Sequence, residues 1–521
     1  MVKLISLIVL MTFVIGSLAS CYDFVKGQIN NLSGGEQQSH QHSFGDWKTT
    51  KEASCTQNGE KVRFCNCGEK ETTPIASTGH TYYQGICTIC NGSDTGYVDV
   101  VYIPSVGLDY TPLSNGAYEV SGIGSCTDDV IVIPSTYNNM PVESIGESAF
   151  DNCYNFSKIV IPQSVTSIAS SAFICCLGLE EIVVDKNNTV YKSVDGNLYT
   201  KDGTTILQYA IAERRCSFII PDGVITIGEY AFVYCYRLSS ITIPESVTFI
   251  SDNAFLFDTY SRLVEVINHS ALDIKAGEST HGAIALYSFE VHSGESNIVQ
   301  YDDYIFYPFN GTNYLVGYIG KEQSIVLPER YEGERYEINY SAFAFEYDLI
   351  DITVPSGVTK IGSSAFEYCE NVTNIKLEEG IEYIGDWAFS TCNSIIGIDI
   401  PKSVVSIGAF AFAHCERLES FVVPNNVTSV GEKMLYNCQS LTNVVIGKGI
   451  TSIPAFFIYG SMSLTTISIS DSVISIGERA FELDPLTDVY YAGSQSQWAS
   501  INIGWGNPEL ESAIIHYNSK F

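Results

Sequence analysis

The residues best equipped for chemistry are the 16 cysteines, and several of them recur in one setting. "IGESAFDNC" (145–153), "IGEYAFVYC" (227–235), "IGSSAFEYC" (361–369), "IGDWAFSTC" (384–392) and "IGAFAFAHC" (407–415) all run from Ile-Gly through Ala-Phe to a thiol. Cys153, Cys176, Cys235, Cys369, Cys392, Cys415 and Cys438 stand three residues after that Phe or its equivalent. A catalytic thiol needs an electropositive, partly exposed setting, and one site suffices. A thiol repeated in every unit of an array acts instead as a small hydrophobe with a weak S–H donor. Equivalent positions in stacked coils lie about 4.7–4.9 Å apart, so the expectation is a buried packing ladder. On that reading Cys392→Ser buries a poorly paired hydroxyl and costs about 1–3 kcal/mol. Asp258, Glu346, Ser461 and Asp484 fill the slot where Cys is missing.

A second group of thiols has a different spacing. Cys55, Cys65, Cys67, Cys87 and Cys90 crowd into residues 42–95, with His40, His42 and His80 close by. "CNCG" (65–68) and "CTICNG" (87–92) each put two thiols on a tight turn. Two such turns can close a tetrahedral zinc site, with Cys65, Cys67, Cys87 and Cys90 as ligands and Cys55 or His80 as alternates. Disulfides serve equally well outside a cell, and so short a segment needs a staple of one kind or the other. The stretch resembles a small Cys/His module of bacterial surface proteins, which implies a structural role. The expected cofactor is at most one structural zinc.

No other chemistry assembles. There is no G-x-S-x-G elbow, phosphate loop or H-E-x-x-H, and His269, His281, His292, His414 and His516 are scattered. The formal net charge of −32 excludes the phosphate neutralisation on which nucleic-acid binding depends, and favours a cationic partner if any. At the N-terminus Lys3 precedes an apolar run (4–16) too short to span a membrane comfortably, and "LASC" follows at 18–21. That stretch resembles a bacterial lipobox. The resemblance implies a signal peptide over 1–20 and a diacylglycerol on Cys21, the membrane being met only through this anchor. Residues 21–41 read as a flexible linker. No LPxTG-like signature follows, which leaves Cys21 as the expected attachment.

The elements that must hold these residues are set by a period. From Phe343 the Phe slot recurs every 23 residues through Phe366, Phe389, Phe412, Leu435, Ile458 and Phe481, and the same step separates Phe150 from Phe173 and Phe232 from Phe255. A period of 20–29 residues is the mark of a leucine-rich solenoid. Each unit, such as "LESFVVPNNVTSVGEKMLYNCQS" (418–440), carries a short strand ended by Pro, a second apolar stretch with a bend at Gly, and a return through Ala-Phe. Over 128–491 the pattern resembles the BspA-like (Treponema pallidum-type) leucine-rich repeat family, on matches such as "LSSITIPESVTFISDNAF" (238–255) and "IIGIDIPKSVVSIGAFAF" (395–412). The resemblance implies a right-handed solenoid on bacterial, and some protist, surfaces, with adhesion as its proposed role. The expected architecture is a solenoid of about 11 coils with a β-strand face.

Two insertions, near 185–217 and 259–340, interrupt the period. "VYKSVDGNLYTKDGTTILQY" (190–209) and "VQYDDYIFYPFNGTNYLVGY" (299–318) alternate apolar and polar residues around Asp-Gly or Asn-Gly turns and predict β-hairpins budding from the solenoid. A hairpin around Asn115-Gly116 is expected to begin an N-terminal cap (96–127), and residues 492–521 to form the C-terminal cap. Tyr-rich hairpins suit recognition, which nominates Tyr301, Tyr304, Tyr307 and Tyr314, although alternating Tyr is also what half-buried strands use. The competing surface is the outward face of the strands, with Asp351 and Asp399 on it. The functional expectation is a non-enzymatic surface lipoprotein that binds an extracellular protein or glycan. The alternatives are a structural spacer and, more remotely, an enzyme with a site in an insertion.

Overall fold

The structure, a computed structural model, describes residues 102–212, 215–255 and 262–521, together with the strands Lys48–Lys51, Gly59–Phe64, Lys70–Ile75, Tyr82–Tyr83 and Ile86–Cys87. The chain divides into two compact units, 1–101 and 102–521. In the first, Lys48–Lys51, Gly59–Phe64 and Lys70–Ile75 form an antiparallel sheet, and Tyr82–Tyr83 pairs with Ile86–Cys87. Cys21, Cys55, Cys65, Cys67, His80 and Cys90 lie outside the described residues, and of Cys87 only the strand position is described.

The second unit is a β-solenoid of about 17 turns with a period of about 23 residues and almost no helix. Strands following the Leu-x-x positions pair in parallel and in register, as Asn443–Ile446 does with Ser420–Val423 on one side and Thr466–Ile469 on the other. Alternation along each strand points every second side chain into the core, so Ile352, Val354, Phe421, Val423, Val444, Ile446, Ile467 and Ile469 are all buried. A second series of short strands, such as Tyr383–Ile384, Ser406–Ile407 and Ser429–Val430, forms the other wall. The two walls stagger their breaks in the C-terminal half. Between 377 and 420 the first wall is interrupted while the second runs through, and between 430 and 452 the roles reverse.

The sequence predicts 11 coils, and the larger count corrects it. Glu290–His292 and Ile514–His516 lie in the supposed second insertion and the cap, yet each pairs in parallel with a regular neighbour. A parallel ladder is made by backbone groups, so a coil survives after its Ala-Phe signature is lost. The hairpins are corrected too. Thr205–Gln208 pairs with Thr226–Ile227 and Thr312–Tyr318 with Tyr336–Ile338, so both hairpins continue the second wall rather than bud from it.

The return turn carries the density of the core. Phe343, Phe366, Phe389 and Phe412 are buried and stack with centroids 5.0, 5.3 and 5.3 Å apart. The glycine before the turn serves close approach rather than the bend: a Cβ on Gly385 would meet the backbone of Ser363 at 2.5 Å. Two other residues per coil take the left-handed conformation, one before the Ala and one before the Cys, as Trp387 (φ 59°) and Thr391 (φ 59°) do, or Phe410 (φ 55°) and His414 (φ 59°). Non-glycine residues resist this region, so the turn is held by its hydrogen bonds to the next coil, Phe389 N–H to Ala411 O (2.8 Å) and Thr391 N–H to Ala413 O (2.8 Å) among them.

Where the regular turns are interrupted, side chains replace the missing backbone partners. Buried Arg262 donates from Nε to Ser341 O and from Nη2 to Ala344 O, both at 2.7 Å. Its Nη1 lies 3.5 Å from Glu346 Oε1, which Arg237 also reaches at 3.0 Å. Loss of water pushes the Arg262 guanidinium down to about 10, still charged at neutral pH. At the other end Asn507 Oδ1 accepts from Phe481 N–H and Glu509 Oε1 from Leu483 N–H, where a further coil would have offered carbonyls, and Asp484 Oδ1, in the thiol slot, accepts from Ser461 N–H. Burial pushes the Asp484 carboxyl up to about 9, so it is protonated at neutral pH.

Candidate binding face

The thiol ladder is built from the turn just described. Five of the Cys side chains donate to the carbonyl of the Phe one coil earlier: Cys176 to Phe150 O (2.9 Å), Cys369 to Phe343 O (3.1 Å), and Cys392, Cys415 and Cys438 to Phe366, Phe389 and Phe412 O (3.2 Å each). Cys176, Cys235, Cys369, Cys392, Cys415 and Cys438 are buried, and Cys153, at the first turn of the column, is half-buried. Desolvation pushes the buried thiols up, Cys415 to about 12, which is the reverse of an activated nucleophile. Ser461 makes the same bond to Leu435 O (3.1 Å) and accepts from Cys438 N–H (3.0 Å). The slot therefore satisfies a hydroxyl, which corrects the expectation that serine would be poorly paired there.

The Tyr-rich hairpin is mostly interior. Its strands Tyr304–Phe309 and Thr312–Tyr318 bury Phe306, Leu315 and Tyr318 in the main core and turn Ile305, Tyr307 and Val316 toward Val264 and Phe289 on the other side. Tyr307 is 0% exposed, so it is withdrawn as a surface contact: alternation in a strand covered on both faces buries both sets of side chains. Tyr304 donates its hydroxyl to Val326 O (3.0 Å), and Tyr314 packs on Phe289 with centroids 4.9 Å apart. Of the four nominated tyrosines Tyr301 alone is exposed.

A strap of residues 293–298 crosses the outward face beside this hairpin. Buried Glu265 accepts from Ser240 Oγ (2.7 Å), Ser296 Oγ (2.5 Å), Asn297 N–H (2.7 Å) and His292 Nε2 (3.1 Å). Tyr307 and Asn297 both donate to Glu290. Among the described residues Glu265, Glu290 and His292 bring three ligand-type atoms within 4.8 Å of one another. Gly294 N–H, however, donates to His292 Nδ1 (3.0 Å), which leaves the ring proton on Nε2, facing Glu265. A metal would need the lone pair at that nitrogen. The cluster is a lock for the strap.

The rest of the outward face is open and largely self-paired. Lys158 meets Glu181 (2.6 Å), Ser324 donates to Asp351 (2.8 Å), Lys376 meets Glu378 (2.7 Å) and His516 meets Asp488 (2.6 Å). Val326, Asn374, Lys376, Ser420 and Val422 are exposed between them. Asp399 is exposed but not on a strand: residues 397–400 form none, because Gly397 at their head has no side chain to pack.

Residues 129–195, 204–310, 336–457 and 405–501 match the BspA type leucine rich repeat region, in 6 copies. The chain belongs to this family. Similar solved structures include the T. pallidum leucine-rich repeat protein, 26% identical over 36% of this chain and 88% of that one, with a TM-score of 0.33. A leucine rich cell surface protein of Faecalibacterium prausnitzii is 19% identical over 78% of this chain and 98% of that one (TM-score 0.30). A Bacteroides ovatus leucine-rich repeat protein is 22% identical over 81% and 100% (TM-score 0.31). No curated protein matches.

On this BspA-type scaffold one groove departs from the self-paired pattern. It measures about 830 Å³ and lies where the strands Ser217–Ile219 and Ser240–Ile243 run into their following turns. Ile219, Thr242 and Pro244 line it together with Asp222, Glu245 and His269. Ile219 is 70% exposed. Asp222 and Glu245 stand one coil apart at the same repeat position, directly after the Pro that ends the strand, and His269 joins them from a third coil.

Proposed function

We propose that this chain is a non-catalytic binding protein of the bacterial surface, held by a lipid on Cys21, that presents the outward sheet face of its repeats to an extracellular protein or glycan. The observation that supports this most is the contrast between the two surfaces of the same coils. The repeat thiols, Cys153 excepted, are buried, and five of them donate to backbone carbonyls, whereas strand positions 324, 326, 374, 376, 420 and 422 are open to solvent. A stack of short strands on a continuous core is a rigid, extended platform, and its small polar side chains suit weak contacts multiplied by surface density. The hairpins, which compete for this role on sequence grounds, are better accounted for as core.

The test uses the full chain displayed on arrays of extracellular proteins and glycans. Saturable binding that is lost in a Lys376→Glu, Val422→Glu double variant but kept in a Thr428→Glu, Ser452→Glu variant of the opposite wall supports the reading. Loss only with the opposite-wall variant refutes it. No binding by either would favour a spacer. The anchor has its own readout: a fatty-acid analogue should label the chain in cells and Cys21→Ser should abolish both label and membrane retention. Residues 42–95 are proposed to hold one structural zinc through Cys65, Cys67, Cys87 and Cys90. Metal analysis of the full chain together with non-reducing mass spectrometry separates this from disulfides.

A further inference from the structure

The groove between Ile219 and His269 sets unpaired acidic groups beside exposed aliphatic surface. The Asp222 and Glu245 carboxylates and the His269 ring make no hydrogen bond or ion pair within the described chain, while Lys158 pairs with Glu181 and Lys376 with Glu378. Ser246 Oγ is the one polar lining side chain in use, accepting from Gly223 N–H at 3.1 Å. Exposed Ile219 and Pro244 give the lining its aliphatic part, and it contains no Phe, Tyr or Trp. These features select among ligands. Two free carboxylates in a chain of net charge −32 exclude anions. Sugars dock best on aromatic faces, which this groove lacks. An aliphatic stem ending in a cation fits both parts, with methylenes on Ile219 and Pro244 and the charged head between Asp222 and Glu245.

We infer that the groove is a receptor for a lysine side chain carried by an extended segment of a partner protein. Thr242 and Ser246 offer hydroxyls to the backbone of that segment, and His269 closes the far end. The inference rests on the binding-protein reading and narrows its partner to a protein with an accessible basic segment. Held this way, the contact is electrostatic at its rim, so it weakens with salt and is governed by association rate.

The probe is an acetylated, amidated tri-lysine peptide titrated into the full chain, with tri-ornithine, tri-norleucine and a neutral oligosaccharide as comparisons. Binding of tri-lysine that weakens about tenfold in an Asp222→Asn, Glu245→Gln double variant is expected, as two partly exposed charge contacts together are worth. A Glu416→Gln, Glu432→Gln variant, which removes two exposed carboxylates elsewhere, should bind as the parent does. Ile219→Ser should weaken lysine more than ornithine, because the shorter stem covers less of the aliphatic lining. Equal weakening by both carboxylate pairs would mean diffuse attraction to an acidic surface and would overturn the inference. So would binding of the oligosaccharide that depends on Asp222. The array experiment fails independently: a face that binds glycans with no response to tri-lysine keeps the scaffold reading and removes this one.

Discussion

Replacing the thiol of Cys392 tests the central structural reading. Its Sγ donates to Phe366 O at 3.2 Å in a fully buried slot, between Cys369 and Cys415 of the neighbouring coils. That carbonyl also accepts from Cys369 N–H at 3.2 Å, so losing the thiol does not strand it. Cys392→Ser keeps a donor in the geometry that Ser461 already uses and should cost less than about 1 kcal/mol. Cys392→Ala removes the sulfur without replacement and should cost about 1–2 kcal/mol through the small void it leaves. Phe389→Ala, in the same coil, removes a ring stacked at 5.3 Å on both sides and should cost about 3–5 kcal/mol. Denaturant unfolding followed by tryptophan fluorescence gives the three values. Site-resolved mass spectrometry after maleimide treatment at pH 8 gives the accessibility. Burial holds the Cys392 thiol well above the ordinary range, so labelling should proceed only as fast as the coil opens. Rapid labelling of native Cys392, or a serine variant that loses more than about 3 kcal/mol, would refute the packing-ladder account.

The other predictions concern the places where the repeat is broken. Arg262→Met leaves Ser341 O, Ala344 O and Glu346 short of a donor and should cost about 3–5 kcal/mol, splitting the melting transition into an N-terminal and a C-terminal step visible by calorimetry. Asp484 has a folded value raised to about 9, so it binds its proton more tightly folded than unfolded, and the stability it supports is present below about pH 4 and lost as pH rises toward 9. Asp484→Asn keeps the acceptor for Ser461 N–H and should raise stability at pH 7 by up to about 4 kcal/mol, with little change at pH 4. Thr391→Gly relieves a β-branched residue at φ 59° and should stabilise by about 0.5–1 kcal/mol in the same unfolding assay, whereas Gly at Ser406, inside a strand, should destabilise.

The 23-residue period, the inward Ile and Val of the strands, the stacked Phe column and the burial of the thiols were all legible in the residues. Each is a local pattern repeated at fixed spacing, and stacking turns equal spacing into direct contact. The degenerate coils at 290–292 and 514–516 were not legible, because a parallel ladder is written in backbone amides that carry no sequence signature. Tyr307 alternates as a half-exposed strand residue would, and only the packing of Phe289 and Val264 against its second face decided that it is core. Arg262 belongs to no motif, and only the fold brings it to the carbonyls of Ser341 and Ala344. The groove at Ile219, Asp222, Glu245 and His269 is likewise a product of three coils meeting: stacking places residues about 23 and 47 positions apart on one wall. Periodicity determines which face a residue takes within its own coil. What that face meets is decided by whichever coils, straps and hairpins the tertiary structure lays beside it.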